Sequence, residues 1–247
     1  MLGNESCDLD SAISAITLAF FYSKHSASTI PLLNEKPQVI MPLLNIPRKD
    51  LPLKTEVTHF LRQNGVDLEN VICRDELSAE QLKVSKFILV DHNNSPEFQE
   101  QVVQIIDHHK LNDHASYNCD KTINLVASCA TLIADLILKT TEPSTYSNIL
   151  KMLYAVIVLD SVNLSKAADK TRPEDTKVVN EIETLLKLDP GKRIEIFNEL
   201  VETRSDVSTL DSLQILSKDL KSIQNLNGTK FVAIPGFPML VQVSLCV

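Results

Sequence analysis

The sequence predicts an α/β protein, a parallel sheet with helices on both faces, followed by a truncated part of a second α/β domain. Two observations lead there. Between Asp10 and roughly Pro190, short β-branched runs alternate with amphipathic stretches, the pattern of strand–helix–strand units. Beyond a polar stretch from Val201 to Asp211, a short helix and an apolar strand follow, and the chain then runs through Pro235, Gly236 and Pro238 into apolar Met239 to Val247. So apolar an end would leave a sticky edge in a complete domain, so the second domain reads as cut short. The expected boundaries are 1–200 for the first domain, 201–211 for a linker and 212–247 for the partial second domain.

The expected strands, in order, are Val39–Asn45, Val71–Cys73, Phe87–Val90, Val103–Ile106, Ile123–Val126 and Thr229–Ile234. Helices are expected over Ser11–Ser23, Thr55–Asn64, Ser128–Lys139, Tyr146–Leu159, Pro173–Leu188 and Asp211–Lys221. Asp10 or Ser11 can cap the first, and Ser128 or Thr131 the third, because short oxygen-bearing side chains satisfy free backbone N–H groups at helix starts.

Composition narrows the function. Apolar runs such as Val84–Val90 and Met152–Leu159 fall short of the roughly 20 residues a spanning helix needs, so no membrane segment is expected. The five cysteines (Cys7, Cys73, Cys119, Cys129 and Cys246) are scattered and lack a CxxC pair, which points to a reducing, cytoplasmic setting and away from zinc ribbons and disulfide frameworks. A net charge of −8 argues against nucleic acid, whose phosphates call for clustered Lys and Arg. A polyanionic substrate would need metal ions to supply the attraction.

Four acidic clusters follow or lie within hydrophobic runs: Asp8-Leu9-Asp10, Asp91-His92-Asn93, Asp107-His108-His109 and Leu159-Asp160-Ser161. In an open parallel sheet, ligands bind beyond the carboxyl ends of the strands, so side chains there gather at one edge even when far apart in sequence. Gathered carboxylates repel one another unless cations neutralise them. Carboxylate oxygen with imidazole suits Mn²⁺ or Mg²⁺, and a two-ion site polarises a phosphoryl oxygen and activates water. Any one of these aspartates is by itself more often a turn former or cap; the recurrence at strand ends, twice with histidine, is what favours a site. His92 is the weakest member and reads equally as a surface histidine.

GNESCDLDS (Gly3 to Ser11), VDHN (Val90 to Asn93), IDHHK (Ile106 to Lys110), SCATL (Ser128 to Leu132) and LDSVNLSKAADKTRPED (Leu159 to Asp175) together resemble the DHH phosphoesterase superfamily. Within it the chain is most similar to the prune-type exopolyphosphatase branch, close to family II inorganic pyrophosphatase. The resemblance implies two divalent cations, Mn²⁺ or Mg²⁺. It implies that Asp91 bridges them, that Asp8 ligates the first, and that Asp10, His108 and Asp160 ligate the second. It further implies that His109 faces substrate phosphate, that Asp107 orients an imidazole, and that Lys221 is the phosphate-binding lysine of the second domain. The implied activity is hydrolysis of short-chain polyphosphate or pyrophosphate by metal-activated water attacking a phosphoanhydride. Alternatives are a cyclic-nucleotide or short-oligonucleotide phosphodiesterase, and a weakly active interaction protein that binds nucleoside diphosphate kinase.

Three departures from the family pattern matter. Asn4 stands where pyrophosphatases carry His, a neutral amide beside the first metal, though prune proteins share it. Only Met1 and Leu2 precede the GN motif, where a full strand is usual, and the later basic motif that clamps phosphate is missing. The aspartates and His108 are expected to be partly exposed when no metal is bound, since dense packing would leave like charges unpaired.

Overall fold

The structure, a computed structural model, describes residues 1–24, 39–112, 117–224 and 231–236, without the side chains of 221–224 and 231. The apolar stretch Met239–Val247, with Cys246, lies outside the described residues.

Helices α1 (Leu9–Lys24), α2 (Thr55–Gln63) and α3 (Ala79–Val84) precede strands β1 (Phe87–Val90), β2 (Val102–Asp107) and β3 (Asp120–Ile123). Then come α4 (Cys129–Leu138), α5 (Ser147–Asp160), α6 (Pro173–Leu186), α7 (Arg193–Ser205) and α8 (Ser212–Lys218), and an antiparallel hairpin of β4 (Leu220–Gln224) and β5 (Phe231–Pro235). Among these described helices none is long and apolar enough to cross a membrane.

β1, β2 and β3 pair in parallel in that order. Single bridges extend the sheet: Leu2 pairs in parallel with both Leu89 and Leu43, and Leu44 with Cys73. Backbone bonds hold these bridges, with Leu2 N donating to Ile88 O at 2.8 Å, Val90 N to Leu2 O at 3.0 Å and Leu44 N to Ile72 O at 3.0 Å. In space the order is therefore Cys73, Leu43–Leu44, Leu2, β1, β2, β3. The chain starts in the middle, moves out one way to Cys73, and returns to build the other half from β1. The crevice between Leu2 and β1 is thus the topological switch point, where open α/β sheets bind ligands.

Side chains alternate along β1 between two cores, as a strand covered on both faces requires. Ile88 and Val90 enter the larger core with α1, α4 and α5, while Phe87 and Leu89 join Leu2, Leu43, Phe98 and Ile105 on the other face, which Leu82 of α3 helps to cover. α1 lies between the sheet and helices α4 and α5, so it is buried nearly all round. Gly3 is required at the turn into α1, because a Cβ there would collide with the Ser11 hydroxyl that accepts the Asn4 amide at 2.7 Å.

Several expected elements differ. Val39–Asn45 and Val71–Cys73 shrink to bridges at Leu43–Leu44 and Cys73. The strand expected at Ile123–Val126 lies earlier, at Asp120–Ile123, because pairing with β2 rather than apolar alternation defines this largely exposed edge strand. The helix expected to reach Lys221 stops at Lys218, so Lys221 falls in β4, and its side chain lies outside the described residues. α7 runs to Ser205, through the first part of the polar stretch at Val201–Asp211. Lys218 then holds α8 to the start of α2, donating to Leu53 O at 2.7 Å and to Thr55 Oγ1 at 2.9 Å.

Candidate metal centre

The segments that end at the switch point deliver the acidic residues. The chain leaves Leu2 through Gly3 and Asn4, and Asp8 caps α1 by accepting Ser11 N at 3.1 Å. Two residues on, Asp10 crosses to the start of α4, where its Oδ2 accepts Cys129 N at 2.6 Å and its Oδ1 accepts Ala130 N at 2.9 Å. A helix N-terminus is a favourable place for a carboxylate, which explains how Asp10 is held deep in the protein. Ser128, the cap of α4, lies beside the carboxyls of both Asp10 and Asp160 and favours their charged forms.

Asp91 follows β1 with φ +62°, a left-handed backbone that Asp tolerates better than most residues and that turns the chain sharply at the sheet edge. It is 2% exposed. Asn4 donates to Asp91 Oδ2 at 2.8 Å and to its carbonyl at 3.2 Å, while the Asn4 oxygen accepts Ser6 Oγ at 2.7 Å and Cys7 N at 3.0 Å. Asn4 thus serves both as the turn former ahead of Asp8 and as a direct support of Asp91.

Asp107 ends β2 fully buried and accepts from His109, through Nδ1 at 2.8 Å and the backbone at 3.2 Å, and from Asn93 Nδ2 at 2.5 Å. The imidazole that Asp107 orients is therefore that of His109. His108 is oriented separately, its Nδ1 bonded to Val126 O at 2.9 Å, which leaves Nε2 facing the aspartates. Nε2 stands 3.1 Å from Asp91 Oδ1 and 3.7 Å from Asp10 Oδ2. His109 is 3.8 Å from Asp91 with 56% of its side chain exposed. His92 turns away, with Nδ1 bonded to Val90 O at 2.9 Å, Nε2 buried without a partner, and burial lowering its pKa.

Asp160 ends α5, where the helix dipole disfavours a negative charge. Burial, then Asp10 and Asp8, push its carboxyl well above the usual range. Burial, then Asp10, raises Asp91 to about 7. For Asp10, burial raises the carboxyl, His108 offsets part of that, and Asp8 adds to it. Burial alone would lower His108, yet Asp91 and Asp10 outweigh it and hold the imidazole at about 10. Asp8 and Asp10 thus repel both Asp91 and Asp160, and His108 lies against Asp10 and Asp91, so the five residues form one electrostatic cluster. Asp8, His108 and Asp160 keep the expected partial exposure, whereas Asp10 and Asp91 are buried because amide donors stand in for solvent.

Whether these residues suit a cation can be tested on Asp91. Its Oδ1 is buried without an aligned hydrogen-bond donor, and the positive group beside it is the His108 imidazole, with Nε2 at 3.1 Å. A buried carboxylate oxygen is costly unless something positive meets it, and an imidazole in that place becomes a metal donor itself once its proton leaves. Donor atoms of Asp91, His108 and His109 all lie within 4.8 Å of one another, and His108 has the carbonyl support typical of a metal-bound imidazole. The residues fit a divalent cation bound through oxygen and imidazole.

Some contributors carried little signal in the sequence. Ser128 reads as a helix cap, and its place beside Asp10 and Asp160 arises only from the packing of α4 against α1 and α5. Asn93, which ties Asp107 to Lys110 O at 3.2 Å and to the backbone amide of Asn112 at 2.9 Å, was visible only as part of the VDHN run.

Residues 1–159 match the DHH family, N-terminal domain. The mouse protein Exopolyphosphatase PRUNE1 is 36% identical over 246 residues, covering 97% of this chain and 52% of that protein. Its human counterpart is 35% identical over 230 residues, covering 90% of this chain and 49% of that protein. The chain therefore spans about half the length of these curated relatives. A Methanococcus jannaschii structure titled as a putative family II inorganic pyrophosphatase superposes with a TM-score of 0.63 at 23% identity, covering 94% of this chain and 70% of that one. At that identity the likeness establishes the fold.

Proposed function

The chain belongs to the DHH family, and on that premise we propose that it is a metal-dependent phosphohydrolase acting on short-chain inorganic polyphosphate or pyrophosphate. The observation that carries the reading is the gathering of donor atoms of Asp91, His108 and His109 within 4.8 Å of one another at the switch point, beside carboxyls whose pKa burial and mutual repulsion raise. The names of the relatives supply the substrate class.

Bound divalent cations, Mn²⁺ or Mg²⁺, would neutralise the aspartates, attract a polyanion and lower the pKa of water. Asp8 and Asp91 would hold one of these ions, and Asp91, Asp10, His108 and Asp160 the other. Asn4 fixes the Asp91 carboxylate and Val126 O fixes the His108 ring. His109, held by Asp107 and the most exposed of these groups, is the side chain available to a substrate phosphate. Lys221 is assigned the same task from the second domain, in the division 1–200, 201–211 and 212–247.

Phosphate release from tripolyphosphate, pyrophosphate and a cyclic nucleotide, measured side by side with Mn²⁺ or Mg²⁺, tests the reading. Turnover of the phosphoanhydrides that a chelator abolishes is expected; preferential cleavage of the cyclic nucleotide would overturn it.

Position 4 gives a second test. The Asn4 amide faces Asp91, but its oxygen is taken by Ser6 and Cys7. An imidazole in its place adds a donor that transition metals favour. Asn4→His is therefore expected to tighten Mn²⁺ binding about tenfold, the scale of other changes around metal sites. Calorimetric titration reads this directly, and an unchanged affinity would mean that position 4 does not reach the ions.

A further inference from the structure

One buried carboxylate lies outside the proposed ligand set. Asp175, in the first turn of α6, is 0% exposed. Its Oδ2 accepts Arg172 N at 2.7 Å, which by itself is the ordinary cap of a helix start. Its other bonds leave α6. Both oxygens face Ala127 N, at 3.1 and 3.0 Å, and Oδ1 accepts the Thr131 hydroxyl at 2.6 Å. Asp175 therefore clamps the turn between β3 and α4.

That turn meets the metal centre at several points. Val126 O receives His108 Nδ1, the bond that aims Nε2 at the aspartates. Ser128 lies beside the carboxyls of Asp10 and Asp160. The amides of Cys129 and Ala130 hold Asp10. Two of the five proposed ligands, His108 and Asp10, are thus held by residues 126–130, and Ala127, at the middle of the approach, is held by Asp175.

We propose that Asp175 is a positioning residue of the metal centre, one that fixes the 126–130 turn and so raises cation affinity without touching the ions. The inference rests on the metal-centre reading above. Ligand orientation matters because groups that support metal-bound side chains change affinity by about 10–100-fold when lost. Asp175 acts through one further layer of contacts, so the lower end of that range applies.

The test is Mn²⁺ calorimetry at one pH on the parent protein, Asp175→Ala, Asp175→Asn and Thr131→Val, with circular dichroism to verify folding. Asp175→Ala removes every acceptor and is expected to weaken Mn²⁺ binding about tenfold. Asp175→Asn keeps an oxygen for Ala127 N and Arg172 N and turns its NH₂ to the Thr131 hydroxyl, so near-parent affinity is expected. A role confined to stability would lower the melting temperature of Asp175→Ala and leave the affinity of the folded protein unchanged, which overturns the inference. Should Asp175→Ala not fold, Thr131→Val, which removes one bond, carries the comparison: weaker binding supports the inference and parent affinity overturns it. A parent protein that binds no Mn²⁺ brings down the metal centre and this inference with it, whereas a binding parent with an unaffected Asp175→Ala refutes only the role of Asp175.

Discussion

Replacing Asp91 by Ala is expected to reduce phosphate release by at least about a hundredfold, beyond the range seen for groups that merely support ligands. Asp91 sits at the switch point, 2% exposed, with Asn4 on one carboxylate oxygen and His108 beside the other. Under the proposed function it would help to hold both ions, so its loss would weaken each at once. The left-handed backbone at this position, φ +62°, complicates Ala, which resists that conformation. Asp91→Asn keeps the local backbone preference and removes only the charge, and a comparable loss is expected from it. His92→Ala, by contrast, removes a ring whose Nε2 has no partner and whose Nδ1 meets a carbonyl of its own strand. Its effect on turnover is expected to be far smaller, and equal losses at positions 91 and 92 would show the bridge to be misassigned.

Asp160→Asn is expected to stabilise the metal-free protein while weakening the response to metal. Asp160 combines burial, repulsion from Asp10 and Asp8, and the unfavourable end of a helix dipole. An isosteric amide removes the charge and can still meet the Ser128 hydroxyl. A relief of about 1 kcal/mol raises the melting temperature by about 2–4 °C in a chain of this size. In excess Mn²⁺ the order should reverse. A cation at a hundred times its dissociation constant stabilises the parent by about 2.7 kcal/mol, and a variant that has lost a ligand gains less. Melting curves with and without Mn²⁺ read both signs; a metal-free variant less stable than the parent would mean that Asp160 serves the fold and not the site.

The elements that were readable in the sequence are those with a strong period. β1 was placed at its observed bounds, and β2, α1, α2, α4, α5 and α6 within a few residues, because each buries a run or stripe of apolar side chains. α7 escaped because only Leu200 is buried along it, so no apolar stripe marks it. α3 buries nothing either, and its signal was the capping box of Ser78 and Gln81 rather than hydrophobicity. The site shows the same division. Aspartate and histidine after apolar runs pointed to Asp8, Asp10, Asp91, Asp107, His108, His109 and Asp160 before any fold was known. The supports at Ser128 and Asp175 looked like ordinary caps.

The sequence by itself determined the fold class, the helices and strands that bury apolar faces, and the acidic residues that ought to share an edge, since side-chain period and residue chemistry are local properties. Only the tertiary structure decided that Leu2, a single bridging residue with no period to read, stands beside β1 and makes their crevice the switch point. It likewise decided which imidazole Asp107 holds, that Asn4 reaches Asp91, and that Asp175 grips the turn behind His108. These are pairings between residues tens of positions apart, and they exist only once packing has brought the segments within hydrogen-bond distance.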